Sequence, residues 1–169
     1  MSQRRWRTVM SWSSGGWRID KVTKSVMQVF IENEAGSDRK NLYNEKTLEF
    51  RKVIRVSREY PFPYGFILGT TSGDGDNLDC FIITEKKLRT GQVVECDPIG
   101  MMEQSEDGKE DLNVLAALLD NEVSIDEETK GKLVEFISHV FDHRPDKVVR
   151  VGHFLGKDEA ISLVGECLD

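Results

Sequence analysis

The stretch Tyr60–Thr84, YPFPYGFILGTTSGDGDNLDCFIIT, decides how this chain is read. Pro61 and Pro63 remove backbone donors and fix φ, so its first residues are extended or turning rather than helical. Tyr64–Leu68 and Cys80–Thr84 are short apolar runs that read as strands. Between them Ser72–Asp79, SGDGDNLD, crowds the carboxylates of Asp74, Asp76 and Asp79 beside Gly73 and Gly75. Like charges this close repel unless a cation neutralises them. An EF-hand calcium loop is excluded: counted from Asp74, its fifth and sixth positions should be an oxygen side chain and a glycine, but hold Leu78 and Asp79. Taken alone, a plain solvated turn is the simpler alternative.

Upstream, Val26–Ile31 reads as a first strand ended by Glu32, and Leu48–Val56 as a kinked or bulged one. Downstream, Gln92–Cys96 and Ile99–Glu103 are two further short strands, and Leu112–Leu119 is an apolar run. A second acidic cluster, SEDGKED, holds Glu106, Asp107, Glu110 and Asp111 around a glycine turn. Ser124 and Glu127 have the spacing of a capping box, and Leu133, Phe136, Ile137, Val140 and Phe141 then recur at helical spacing up to Pro145. Val148–Phe154 reads as a strand and Asp158–Leu168 as an amphipathic helix. Many short strands followed by helix, strand and helix predict an α+β, mainly β fold: a small β-barrel with two outer helices near the C-terminus.

In such a barrel loop rims converge at one end, and two acidic clusters meeting there would hold divalent ions. Hard oxygen donors suit Mg²⁺ or Mn²⁺, and no Cys/His set supports zinc. His139 and His143 stand one helical turn apart, but the segment HVFDH lacks the H-E-x-x-H pattern, so they read as a solvated or capping pair.

With 169 residues, 38% hydrophobic and 31% charged, the chain is long enough for one sizeable core. A net charge of -7 works against binding nucleic acid or an anionic membrane, and no apolar run approaches the ~20 residues a spanning helix needs. Cys80, Cys96 and Cys167 are odd in number and far apart, which predicts free thiols and a reducing, cytoplasmic compartment. Met1–Arg18 interleaves Arg4, Arg5, Arg7 and Arg18 with Trp6, Trp12 and Trp17 and contains no signal-like apolar core. It is expected to be a loose N-terminal extension over 1–18, an arm on a neighbouring subunit being the functional alternative. Residues 19–169 are expected to form a single domain.

The order YPFPYGF (60–66), DGDNLD (74–79), PIG (98–100) and EDGKED (106–111) resembles the blocks of the family I soluble inorganic pyrophosphatases. Four motifs in order are far more specific than any one of them. The resemblance implies an OB-like barrel, hydrolysis of pyrophosphate to two phosphates with several Mg²⁺ ions (Mn²⁺ as an alternative), and a homo-oligomer. It implies Asp74, Asp79 and Asp111 as ligands of the metals that activate water, and Asp76 as the acceptor of the water's proton. Glu32 and Glu106 match outer metal ligands, and Tyr64 a tyrosine lining the site.

Where the family's later acidic block begins with Asp stands Glu106, which keeps the charge and adds a methylene; the other departures concern cations. Two residues beyond Asp111, where the family has Lys, stands Asn113; where it has Tyr then Lys near the end of the long helix, stand Arg144 and Pro145. The family's strand Arg becomes Lys52, its early Lys aligns to Arg39, and the acidic residue after that Lys becomes Asn41. Arg39, Lys52 and Arg144 are therefore the expected phosphate grips, with Lys40, Arg51, Arg55 and Arg58 as neighbours able to compensate. Lys and Arg are not equivalent phosphate binders. Restoring Lys at position 113 is expected to raise activity if that grip is missing, whereas no gain would mean that another cation has replaced it. The main alternative is a catalytically weakened or inactive paralogue that binds metal and phosphate or acts as an assembly subunit. Nucleic-acid binding by the barrel fits poorly, since the body of the domain lacks basic, aromatic strand faces.

Overall fold

A computed structural model describes the backbone of residues 3–13 and 16–169 and the side chains from Ser25 onward. Strands β2 (Gly16–Asn33), β5 (Tyr64–Ile67), β6 (Asp79–Ile82), β9 (Asn113–Leu118) and β7 (Val93–Glu106) pair in that order, and β7 pairs back onto β2 to close a five-stranded barrel. The two helices are α1 (Glu127–His139) and α2 (Lys157–Cys167). The architecture is the expected mainly β barrel with two late helices. Among the described residues no helix is long and apolar enough to cross a membrane.

The barrel strands bury both faces, which is why they read as apolar runs rather than alternating ones. Val29, Ile31, Ile67, Cys80, Ile82, Val114, Ala116 and Leu118 pack on one side together with Val164 of α2. Phe81, Met102 and Leu115 pack on the other against Leu133, Phe136, Ile137 and Val140 at the end of the long helix. Gly65 marks the tightest approach: a Cβ there would lie 1.8 Å from the Phe30 carbonyl oxygen across the β2–β5 pairing. Cys80 and Cys96 are buried free thiols, as expected.

Several boundaries differ from the sequence reading. The first strand begins at Gly16 rather than Val26, and β1 (Gln3–Ser13) pairs along it from Gln3↔Val26 to Ser13↔Gly16. Where a loose extension was expected over 1–18, the described backbone is therefore paired strand; the side chains of Arg4, Trp6 and their neighbours lie outside the described residues. The runs read over Gln92–Cys96 and Ile99–Glu103 fall on one strand, β7, which begins at Val93 and passes Pro98 by shifting register between Pro98 and Gly100. A bulge accommodates the donor that proline lacks. Helix α1 is capped by Asp126, which accepts from the Thr129 N–H at 2.8 Å, rather than by Ser124. The spacing is the same three residues, and the carboxylate next to the helix prevails over the hydroxyl farther out.

Off the barrel, β3 (Arg39–Tyr43) and β4 (Phe50–Arg55) form a two-stranded ribbon, β8 (Lys109–Glu110) pairs with the end of β7, and β10 (Val149–Leu155) lies along β7. An aromatic chain fastens the ribbon: Phe50 meets Tyr43 at 5.5 Å, Tyr43 meets Phe30 at 4.9 Å, and Phe30 stacks on Phe66 at 5.1 Å.

Candidate active site

The 70–79 loop is built from its own short polar residues. Asp74 accepts from the Ser72 hydroxyl and from the Asp76 N–H, Ser72 N donates to the Asp76 carbonyl at 2.7 Å, and Gly75 takes φ +90°, which only glycine adopts without strain. Asp79 ends the loop as the first residue of β6 and lies opposite Asn113 in the parallel β6–β9 pair. Parallel pairing brings the segment before β9 to the same rim, and with it Asp111. The second acidic turn reverses through Asp107 (φ +53°) and Gly108 (φ +80°), which joins β7 to β8.

Both clusters open onto one cavity of about 440 Å³, lined by Glu32, Tyr64, Asp74, Asp76, Asp79, Glu106 and Asp111 among others. Seven of the residues picked out from sequence thus come together. The cavity wall also holds Lys40, Tyr43 and Glu45, of which only Lys40 was considered from sequence, as a substitute cation. Nothing in the local pattern of Tyr43 or Glu45 marks them, because they arrive through the ribbon's docking on the barrel.

Three expected grips are elsewhere. Arg39 alternates with Lys40 on β3, is exposed, and does not line the cavity; Lys40 takes the place expected for it. In a strand a one-residue shift reverses the face, which alignment by charge alone does not register. Lys52 stands opposite Leu42, a wall residue, so it shares that ribbon face while remaining exposed and outside the lining. Arg144 is exposed and ion-paired with Asp146 at 3.3 Å. Lys147, passed over in the sequence, is ion-paired with Glu106 and lies 4.1 Å from the Phe141 ring centroid; Lys40 approaches the same ring at 5.2 Å. His139 bonds Asp142 and His143 bonds Ser57, so the two histidines serve separate local contacts.

Burial and mutual repulsion govern the carboxyls. Glu32, 6% exposed, is pushed up to about 8 by burial first and then by the charge of Glu45, with Lys40 opposing. Glu45 is raised to about 7 by burial and then by Asp76. Asp79 stands well above the usual carboxylate range, from burial and then from the charge of Asp111; Asp111 is also raised, chiefly by burial. Burial likewise raises the Tyr64 phenol, keeping it a neutral hydrogen-bond donor.

Nine carboxylates and two lysines line this cavity. Among the described residues no three His, Cys, Asp or Glu side chains converge closely enough to hold an ion as they stand; the carboxylates ring the space instead. An all-oxygen, strongly anionic and partly buried donor set fits hard divalent cations such as Mg²⁺ and Mn²⁺, which would supply the missing positive charge.

The family model described as Inorganic pyrophosphatase matches residues 29–169. An inorganic pyrophosphatase of Sulfolobus acidocaldarius is 32% identical over 152 residues, covering 83% of this chain and 88% of that protein. One from Thermoplasma volcanium is 32% identical over 150 residues, covering 82% and 89%. Among solved structures, an inorganic pyrophosphatase from Neisseria gonorrhoeae superposes with a TM-score of 0.77 at 26% identity, over 84% of this chain and 88% of that one. With the acidic motifs gathered in one cavity and this match over most of its length, the chain belongs to the inorganic pyrophosphatase family.

Proposed function

We propose that this chain hydrolyses inorganic pyrophosphate to two phosphates, with Mg²⁺ held by Glu32, Asp74, Asp79, Glu106 and Asp111. One observation carries the reading: both acidic motifs and Glu32 face one cavity that is short of positive charge. Bound there, divalent ions would acidify a water and neutralise the substrate's charge. Asp76 takes the proton of the attacking water. Tyr64 donates its phenolic hydrogen to a phosphoryl oxygen, and Lys40 and Lys52, on the ribbon face that carries Leu42, hold the phosphates. Arg39 and Arg144 are assigned at most an outer attraction for the polyanionic substrate. Mn²⁺ would serve in place of Mg²⁺, since the donors are the same hard oxygens.

One feature favours the second reading, a weakened paralogue. Asn113 is 2% exposed and donates to the Gln104 side chain at 2.5 Å, so this position offers the substrate no cation. Phosphate release from pyrophosphate with Mg²⁺, beside an Asp76→Asn control, separates the two. Metal-dependent turnover that falls by roughly 10²-fold or more in the control supports the enzyme. No turnover, with Mn²⁺ still binding, supports the paralogue.

The family match supports a homo-oligomer, and the free cysteines support a cytoplasmic setting. The catalytic domain is assigned to residues 19–169, with 1–18 as an extension of which Gln3–Ser13 pairs along β2.

A further inference from the structure

The turn between β3 and β4 carries a carboxylate that no sequence motif announces. Glu45 lines the cavity with Glu32, Asp74, Asp76 and Asp79, and it accepts the Asn77 N–H at 3.1 Å, inside the Asp-rich loop. The turn that presents it is built for the purpose. The Asn44 side chain accepts the Lys46 and Thr47 N–H groups at 3.0 and 3.1 Å, and Leu48 takes φ +64° to close the reversal. The Lys46 ammonium then fastens the turn to the start of the loop, donating to the Thr70 carbonyl and the Thr71 hydroxyl at 2.8 Å each. Meanwhile the strand position that faces the cavity two residues beyond Lys40 is apolar Leu42. An anionic wall contribution that β3 itself lacks is thus supplied from the following turn.

We propose that Glu45 is a further ligand to the divalent cations of this cavity, its one oxygen steadying the Asp-rich loop while the other donates to a metal. This rests on the reading of the cavity as a metal site. It adds a donor set by the geometry of this chain's own ribbon, and it couples metal occupancy to the order of residues 70–79. A cation bridging Glu45 and the aspartates would relieve the repulsion that Glu45 feels from Asp74 and Asp76.

The test uses metal-free full-length protein and Mn²⁺ alone, with free Mn²⁺ counted by electron paramagnetic resonance. Glu45→Gln keeps an oxygen to accept the Asn77 N–H and removes the charge, so the loop contact survives while the donor weakens. Glu49→Gln, on the exposed end of the same turn, is the control. The expected result is loss of one Mn²⁺, or a Kd raised roughly tenfold at one site, in Glu45→Gln only, with the metal-free melting temperature of that variant unchanged or higher. Unchanged number and affinity in Glu45→Gln overturns the proposal, as does a wild-type chain that binds no Mn²⁺. Because the readout is binding, wild-type protein that binds Mn²⁺ without hydrolysing pyrophosphate, with that binding weakened in Glu45→Gln, defeats the activity reading and leaves Glu45 as a ligand. Hydrolysis by wild type with indifferent Glu45→Gln binding does the reverse.

Discussion

Asp79 and Asp111 meet at the rim where the parallel β6–β9 pair begins, close enough for the charge of Asp111 to hold the Asp79 carboxyl above its usual range. The arrangement is extended by amides: Gln104 donates to Asp111 at 3.4 Å, and Asn113 fixes Gln104 by donating to its carbonyl oxygen. Asp111, Gln104 and Asn113 thus form a continuous chain from cavity to interior, and Asn113 belongs to the support of a candidate metal ligand.

The metal-free protein holds protons at neutral pH that a divalent cation would displace. Glu32 at about 8 and Glu45 at about 7 are the sources. Titrating Mg²⁺ into unbuffered protein at pH 7 is expected to acidify the solution by about one proton or more per chain. A pH-stat measures it directly, and the release should shrink in Glu32→Gln.

Glu32 also sets a pH dependence of stability in EDTA. Its folded value of about 8 lies above the ordinary 4.5, so the folded state binds the extra proton. Its contribution is fully present below about pH 4.5 and is lost as pH rises towards 8. Metal-free protein is expected to lose on the order of a few kcal/mol across that window. Thermal melts at several pH values should show a flatter slope in Glu32→Gln, and saturating Mg²⁺ should restore the wild type at the alkaline end.

Restoring a lysine at position 113 has the opposite sign from the sequence expectation. The site is buried and its amide is committed to Gln104. Asn113→Lys would strip Gln104 of its partner and bring an ammonium into an enclosed space, costing about 1–3 kcal/mol. Urea unfolding is expected to show that loss, with phosphate release no higher than wild type.

Gly65→Ala tests the frame that carries Tyr64 to the cavity. The new methyl meets the Phe30 carbonyl in the rigid β2–β5 pairing, where no flexible side chain can yield. A destabilisation of roughly 3 kcal/mol is expected, at the upper end for overpacking. Urea unfolding measures it, and Gly73→Ala, with open space around it, should stay near wild type.

Much of the site was legible because its donors are local. Asp74, Asp76 and Asp79 occupy one short loop between two apolar strands, so their neighbourhood follows from chain connectivity. Glu106 and Asp111 are likewise joined by a tight turn. The cations were less legible: Lys40 and Arg39 are adjacent and chemically similar, and only the register of the β3–β4 ribbon distinguishes the wall from its reverse. Lys147 was hidden because its partner Glu106 is remote in sequence.

The sequence by itself determined that strands dominate, that two helices come late, and that carboxylates cluster in two turns, since periodicity and spacing act over a few residues. Only the tertiary structure decided that β7 closes on β2, that Asn113 supports Asp111 through Gln104, and that Glu45 faces the aspartates. Those relations depend on strand register and on packing between distant segments, where a shift of one residue exchanges a cavity wall for solvent.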